Sequence, residues 1–144
     1  MHEYKKILVA TDLSDPAVPA VLHGSSLARR LGSKIVLVYV MEDRIPGWLS
    51  ETDVGEIMER HREQAKQALA DCAAEHLVGN EVETVVLEGP PHSEILKLAG
   101  ERGVDMIVIG MHGHGYLTHA LAGNTTERVL HHAPCPVFVV SRTD

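Results

Sequence analysis

"KKILVATDLSDPAVPAVLHGSSLARRLGSKIVLVYV", residues 5 to 40, holds two aliphatic runs separated by one helix-length segment, and its reading decides the fold. The runs KKILVA (5 to 10) and KIVLVYV (34 to 40) are nearly continuous in apolar residues instead of alternating, the pattern of strands covered by helices on both faces. Between them Asp15 reads as an N-cap, Pro16 as the first helical residue and Gly32 as the stop of a helix over 15 to 31. Pro19 falls in the first turn, where its missing N–H is no loss. Strand, helix and strand at this spacing imply a right-handed crossover and parallel pairing.

The alternation continues outward. VETVVLE (82 to 88), DMIVIG (105 to 110) and PVFVVS (136 to 141) read as further strands. From 52 to 77, Val54, Met58, His61, Ala65, Leu69, Cys72 and Leu77 recur at helical spacing opposite a charged face. A third helix is expected from Pro91 to Arg102, closed by Gly103, and a fourth from Asn124 to His132, closed before Pro134. The stretch MEDRIPGWLSE (41 to 51) reads as a loop or lid. The order βαβαβαβαβ describes a single α/β domain over 1 to 144, an open doubly wound parallel sheet of five strands with helices on both faces. Periodicity does not give the strand order.

Composition narrows the function. A formal net charge of −7 opposes nucleic-acid binding, which needs a basic face to displace counterions. One Trp, one Phe and three Tyr offer no stacking platform for single strands and leave the core aliphatic. Cys72 and Cys135, the two cysteines, sit in no CxxC pattern and read as reduced, buried thiols. The N-terminus MHEYKKILVATD lacks a signal-peptide core, and no apolar run approaches the ~20 residues that span a bilayer, so a cytoplasmic protein without membrane insertion is expected.

In such sheets ligands bind beyond the carboxyl ends of the strands, where the strand order reverses. Two loops there carry candidate chemistry: ATDLSD (10 to 15), and the start of GMHGHGYLTHALAGNTTERVL (110 to 130). The first has no glycine, which excludes a GxGxxG turn, and GxxxxGK[ST] occurs nowhere. In the second, Gly110, Gly113, Gly115 and Gly123 would cost roughly 2–4 kcal/mol against alanine in regular structure, so a reason for glycine is expected. Asn124, Thr125 and Thr126 then open a helix whose first N–H groups are unpaired and carry about half a positive charge, an anion site held by backbone donors and hydroxyls. The same residues also read as a strand end followed by a capped helix, with Asn124 and Glu127 in capping-box spacing and no ligand at all. Both readings stand on spacing alone. His112 with His114, and His131 with His132, lack partners at zinc-ligand spacing, so no protein metal site is expected.

Gly110, Gly113 and Gly123 in the spacing G-x2-G-x9-G, with KKILVATDLSD, the Gly89–Pro90 entry to the third helix, DMIVIGMHG and TERVLHHAPCPVFVV, resemble the universal stress protein family along essentially the whole chain. That resemblance implies a sheet of order 3-2-1-4-5, a homodimer, and ATP at the switch point between strands one and four. It implies that Asp12 and the Val40 backbone serve the adenosine end, while Gly110, His112, Gly113, Gly123, Asn124 and Thr125 surround ribose and phosphates. Ala10, Thr11, Met111 and His114 complete the implied nucleotide-binding set. The family pattern has Ser or Thr where this chain has Asn124, which replaces a hydroxyl donor with an amide that still donates.

The expected function is a cytoplasmic, dimeric, nucleotide-responsive regulatory or binding module in stress response. It takes ATP, or AMP or ADP, with or without Mg²⁺, and acts on an unidentified client protein. No catalytic residue is assigned. Two alternatives are a ligand-free dimeric adaptor of the same fold and a slow nucleotide hydrolase. The last strand, Pro136, Val137, Phe138, Val139 and Val140, is expected to form the dimer interface, since an apolar edge strand with little charge invites pairing with its own copy.

Overall fold

The computed structural model describes residues 1–42, 47–111 and 124–141, with Asn124 described by its backbone alone. Among these residues five strands form one sheet: β1 (Lys6–Ala10), β2 (Lys34–Met41), β3 (Val82–Glu88), β4 (Met106–Gly110) and β5 (Val137–Val140). The helices are α1 (Val18–Leu31), α2 (Glu51–His76), α3 (Pro91–Arg102) and α4 (Asn124–His132). The strand order is β3-β2-β1-β4-β5, every neighbouring pair parallel, with Ile7 of β1 opposite Ile35 of β2 on one side and Met106 of β4 on the other. The fold class and the strand order are those expected.

Alternate side chains of the inner strands enter two separate cores. Ile7, Val9, Ile35, Leu37 and Val108 pack with Ala20, Val21 and Ala28 of α1 and Leu69 of α2. Leu8, Val36, Val38, Ile107 and Ile109 pack on the opposite face with Ile95 and Leu98 of α3 and Val129 of α4. Two-sided burial explains why these strands read as continuous apolar runs. β3, at an edge, is only half-buried along its length.

Several local expectations shift. A single α-helix from Asp15 would take its first i→i−4 bond from the N–H of residue 19, which is proline. Asp15–Ala17 therefore forms a tighter 3₁₀ turn, with Ser14 rather than Asp15 before it, and the α-helix begins at Val18. Gly32 and Gly103 close α1 and α3 in left-handed conformation, as expected. α2 starts at Glu51 because the Ser50 hydroxyl accepts the Asp53 N–H at 3.1 Å. His61 does not face the core: it is exposed, and Ile57 takes a half-buried place on that side of the helix. Cys72 and Cys135 are free thiols, half-buried instead of buried; burial first, then Glu75 and Asp105 respectively, pushes each above the ordinary thiol range. No helix among the described residues is long and apolar enough to cross a membrane.

At the amino edge of the sheet, polar contacts pin strand starts to helix ends. The backbone N–H groups of Lys5 and Lys6 donate to Asp105 Oδ2 at 2.9 and 3.0 Å, and Lys6 Nζ donates to the Arg102 carbonyl at 3.0 Å. Arg102 in turn holds Glu83 with Nε at 3.3 Å and Nη2 at 3.0 Å, a two-point grip between α3 and β3. The Arg102 hydrogen bond is the main reason the Glu83 carboxyl titrates below the usual glutamate range. Because the folded pKa is depressed, the contribution is present above the unfolded pKa and lost as pH falls through the folded one. Thermal unfolding at a series of pH values is expected to show a shallower acid-side loss for Glu83→Gln than for the parent. The pair is more than a third exposed, so raised salt should narrow the difference.

Gly24 in α1 lies against β1 so closely that an added Cβ would stand 2.6 Å from Val9 Cγ2. Val9 is fully buried and β-branched, with little room to yield. In Gly24→Ala the helix gains about 1 kcal/mol of propensity and loses about 1–3 kcal/mol to overpacking. A net loss of roughly 1 kcal/mol in urea unfolding is expected; a gain in stability would show that the Val9 contact yields freely.

Candidate functional site

β1 and β4 lie side by side, but the chain leaves them in opposite directions. After β1 it passes to α1 on the first face, and after β4 to α4 on the second. The carboxyl ends of these two strands thus open a crevice, the switch point of the sheet.

The β1 side is built from Ala10 to Ser14. The Thr11 N–H continues the ladder to the Val38 carbonyl at 3.0 Å, which leaves Thr11 only 8% exposed. Its Oγ1 accepts the Leu13 N–H at 3.1 Å, and Asp12 Oδ1 accepts the Ser14 N–H at 3.0 Å together with the Ser14 hydroxyl. Two successive N–H groups are therefore satisfied by side chains two residues back, the turn habit of threonine and aspartate. Leu13 between them has φ of 66°, in the left-handed region.

On the β4 side, the Met111 N–H bonds the Val140 carbonyl at 3.1 Å, and the Gly110 carbonyl accepts Thr126 Oγ1 at 2.8 Å. That second bond ties the first turn of α4 to the end of β4. It fixes the helix N-terminus, whose first N–H groups have no partner within the helix and carry partial positive charge, at the mouth of the crevice. Thr126 is buried, and Thr125 and Gly110 are half-buried beside it.

The opposite end of the crevice is acidic. Tyr39 near the end of β2 has its phenol raised above the usual tyrosine range, first by burial and then by Asp12 and Glu42, two carboxylates close by. Val40 is half-buried on the same strand. Beyond it, Arg62 of α2 is ion-paired with Glu88, the last residue of β3, so the turns before Arg62 rise past the strand ends. Trp48, just ahead of α2, is 81% exposed.

Of the residues expected at the site, the fold brings Ala10, Thr11 and Asp12 beside Gly110, Met111 and Thr125 across neighbouring strands, with Val40 one strand further on. Ala10 is buried and Met111 is exposed. His112, Gly113, His114 and Gly123 lie outside the described residues, as does part of the 41–51 loop. Asn124 is the first residue of α4. Sequence reasoning counted Thr126 among the residues that open the helix but missed its bond to the Gly110 carbonyl, for which the tandem Thr125–Thr126 in a first helical turn was the available signal. It also missed Leu13, whose conformation has no local signature. His131 and His132, rings 6.5 Å apart, stand at the far end of α4 from the crevice. Outside the crevice, His92 Nε2 lies 3.2 Å from Ser93 Oγ and 3.5 Å from Arg128 Nη1 at the exposed start of α3.

Comparison with known proteins agrees with this architecture. Residues 3–141 match the universal stress protein family. The universal stress protein MJ0531 of Methanocaldococcus jannaschii is 32% identical over 143 residues, covering 96% of this chain and 83% of its own. MJ0577 of the same organism is 31% identical over 155 residues, covering 96% of each. The solved structure of MJ0577 superposes with a TM-score of 0.87 at 34% identity over 99% of both chains. A universal stress protein from Archaeoglobus fulgidus, solved in complex with dAMP, superposes with a TM-score of 0.62 at 25% identity, covering 96% of this chain and 98% of that one. A five-stranded sheet of order 3-2-1-4-5 with its helices on both faces, and a match spanning nearly every residue, lead to one conclusion: the chain belongs to the universal stress protein family.

Proposed function

We propose that this chain is a cytoplasmic nucleotide-responsive module that binds ATP, or ADP or AMP, in the crevice between β1 and β4, with Mg²⁺ arriving on the phosphates. The observation that carries the reading is the Thr126–Gly110 bond, which holds a helix N-terminus at the switch point of the sheet. The donor set suits the ligand: backbone N–H groups and the Thr125 hydroxyl at α4 for the anionic end, and Asp12 with the Val40 backbone at the carboxylate-rich end for adenosine. A carboxylate accepts from ribose or base donors and repels phosphate, so the charge along the crevice gives the nucleotide one orientation. The dAMP complex of the A. fulgidus relative supports an adenine nucleotide in this family. In this proposal Ala10, Thr11, Gly110, Met111, His112, Gly113, His114, Gly123, Asn124 and Thr125 line the site. The nucleotide state would then govern engagement of a client protein.

Nucleotide released on denaturing protein purified without added ligand, followed by isothermal titration with ATP, tests the reading. Thr126→Val keeps the side-chain shape but strands the Gly110 carbonyl; a loss of about 1–2 kcal/mol of stability is expected, with several-fold weaker ATP binding. Gly113→Val should abolish binding with little change in stability. Asn124→Ser, which restores the family's hydroxyl and remains a good cap, should tighten ATP by up to about tenfold. No binding to the parent at millimolar ATP, with or without Mg²⁺, would leave the ligand-free adaptor as the better account. ADP accumulating with time would favour the slow hydrolase.

We also infer a two-fold homodimer through β5. Ile107 N–H bonds the Pro136 carbonyl and Met111 N–H the Val140 carbonyl, so even-numbered residues of β5 face β4 and the backbone of Val137 and Val139 points outward. The flank is apolar: Phe138 is 38% exposed, with its ring centroid 6.1 Å from that of His23 on α1. A second copy of Pro136 to Val140 pairing along this edge would cover both. Val139→Pro removes an outward N–H and no bond to β4. A folded monomer by light scattering is expected; an unchanged dimeric mass would move the interface elsewhere.

A further inference from the structure

Among the described residues, Leu13 alone of the non-glycines has a positive φ, 66°. The left-handed region is unfavourable for leucine, which lacks the short polar side chain that eases aspartate and asparagine into it. A loop with no other demand would place glycine here, or relax. This one does neither, because three contacts hold it. The Leu13 side chain packs against the core under α1, its N–H is taken by Thr11 Oγ1 at 3.1 Å, and the next N–H, of Ser14, is taken by Asp12 Oδ1 at 3.0 Å. The Ser14 hydroxyl donates to that same carboxylate oxygen. Downstream, the Ser14 carbonyl accepts the Ala17 N–H at 3.1 Å and starts the 3₁₀ turn that leads into α1.

We propose that the left-handed backbone at Leu13 is a positioning device: it turns the chain so that the Ser14 N–H and hydroxyl clamp the Asp12 carboxylate at the carboxyl edge between β1 and β2. Its bearing on ligand affinity rests on the nucleotide reading above. With Leu13 at negative φ, the peptide that follows it rotates, and Ser14 can no longer reach Asp12 while Thr11 holds the N–H of residue 13. The strain is tolerated because the half-buried side chain and the two turn bonds over-determine it, the usual condition for an unfavourable conformation to persist beside a site. Asp12 also influences the Tyr39 phenol on the neighbouring strand β2.

A side-chain anchor and a backbone device predict opposite results in three variants. Leu13→Gly and Leu13→Asn discard the apolar anchor but reach positive φ readily; Leu13→Ile keeps the apolar volume but is β-branched and excluded from that region. ATP affinity within about threefold of the parent is expected for Gly and Asn, and a loss of about tenfold or more for Ile. A ligand-free measurement runs beside it. The Ser14 amide proton shift should follow carboxylate titration on acidification in the parent, Gly and Asn chains, and lose that dependence in Ile. Loss of the Ser14 titration in folded Gly and Asn variants overturns the proposal, as does its retention in Ile; should Ile fail to fold, Gly and Asn decide. A parent that binds no ATP removes the nucleotide reading alone, and the Ser14 signal still shows whether Leu13 positions Asp12.

Discussion

Burial of β1 on both faces is the constraint on which the rest depends. Ile7, Leu8 and Val9 are fully inaccessible to solvent, and their side chains point alternately into two cores that share only the sheet between them. A strand so placed cannot slip by one residue without exchanging the contents of both cores, so its register with β2 and β4 is fixed. The crevice inherits that rigidity. Thr11 directly follows β1 and Gly110 is the last residue of β4, so two groups of the candidate site are placed by strands buried on both faces.

The loops convert this frame into chemistry without further burial. On the β1 side, side chains satisfy the backbone of their own turn. On the β4 side, one hydroxyl joins a helix start to a strand end. Neither arrangement draws on a lysine or arginine, which accords with a chain of net charge −7 whose crevice is polarised by helix geometry at one end and carboxylates at the other.

The strands were legible because two-sided burial writes itself into sequence as unbroken aliphatic runs, and the helices because Gly32, Gly103 and the proline before β5 punctuate them. The strand order was not periodic information and came through family resemblance. Where reading failed, a non-local or backbone cause was at work. Asp15 has the right residue type for a cap, but Pro19 four positions on forbids the bond that would make it one. His61 sits at helical spacing with core residues, but it is exposed, on the half of α2 that contributes no fully buried residue. Of the candidate site, Ala10 to Asp12, Gly110 and the start of α4 could be picked out from loop position and glycine content. Leu13 could not, because a leucine forced to positive φ by its neighbours looks like any other leucine.

The great length of α2 has a dynamic corollary. Its second half is fastened to the sheet by buried Ala65 and Leu69, whereas none of residues 51 to 61, about 16 Å of helix, is fully buried. Opening free energy should therefore rise along a single helix, from near zero at Glu51 toward the global value at Leu69, and amide exchange should slow in the same direction. The soft end is the one at the carboxyl edge of the sheet, beyond the end of β3. Motion there can proceed while both cores stay intact, so one continuous helix serves as a fixed brace at its base and an adaptable arm at its tip.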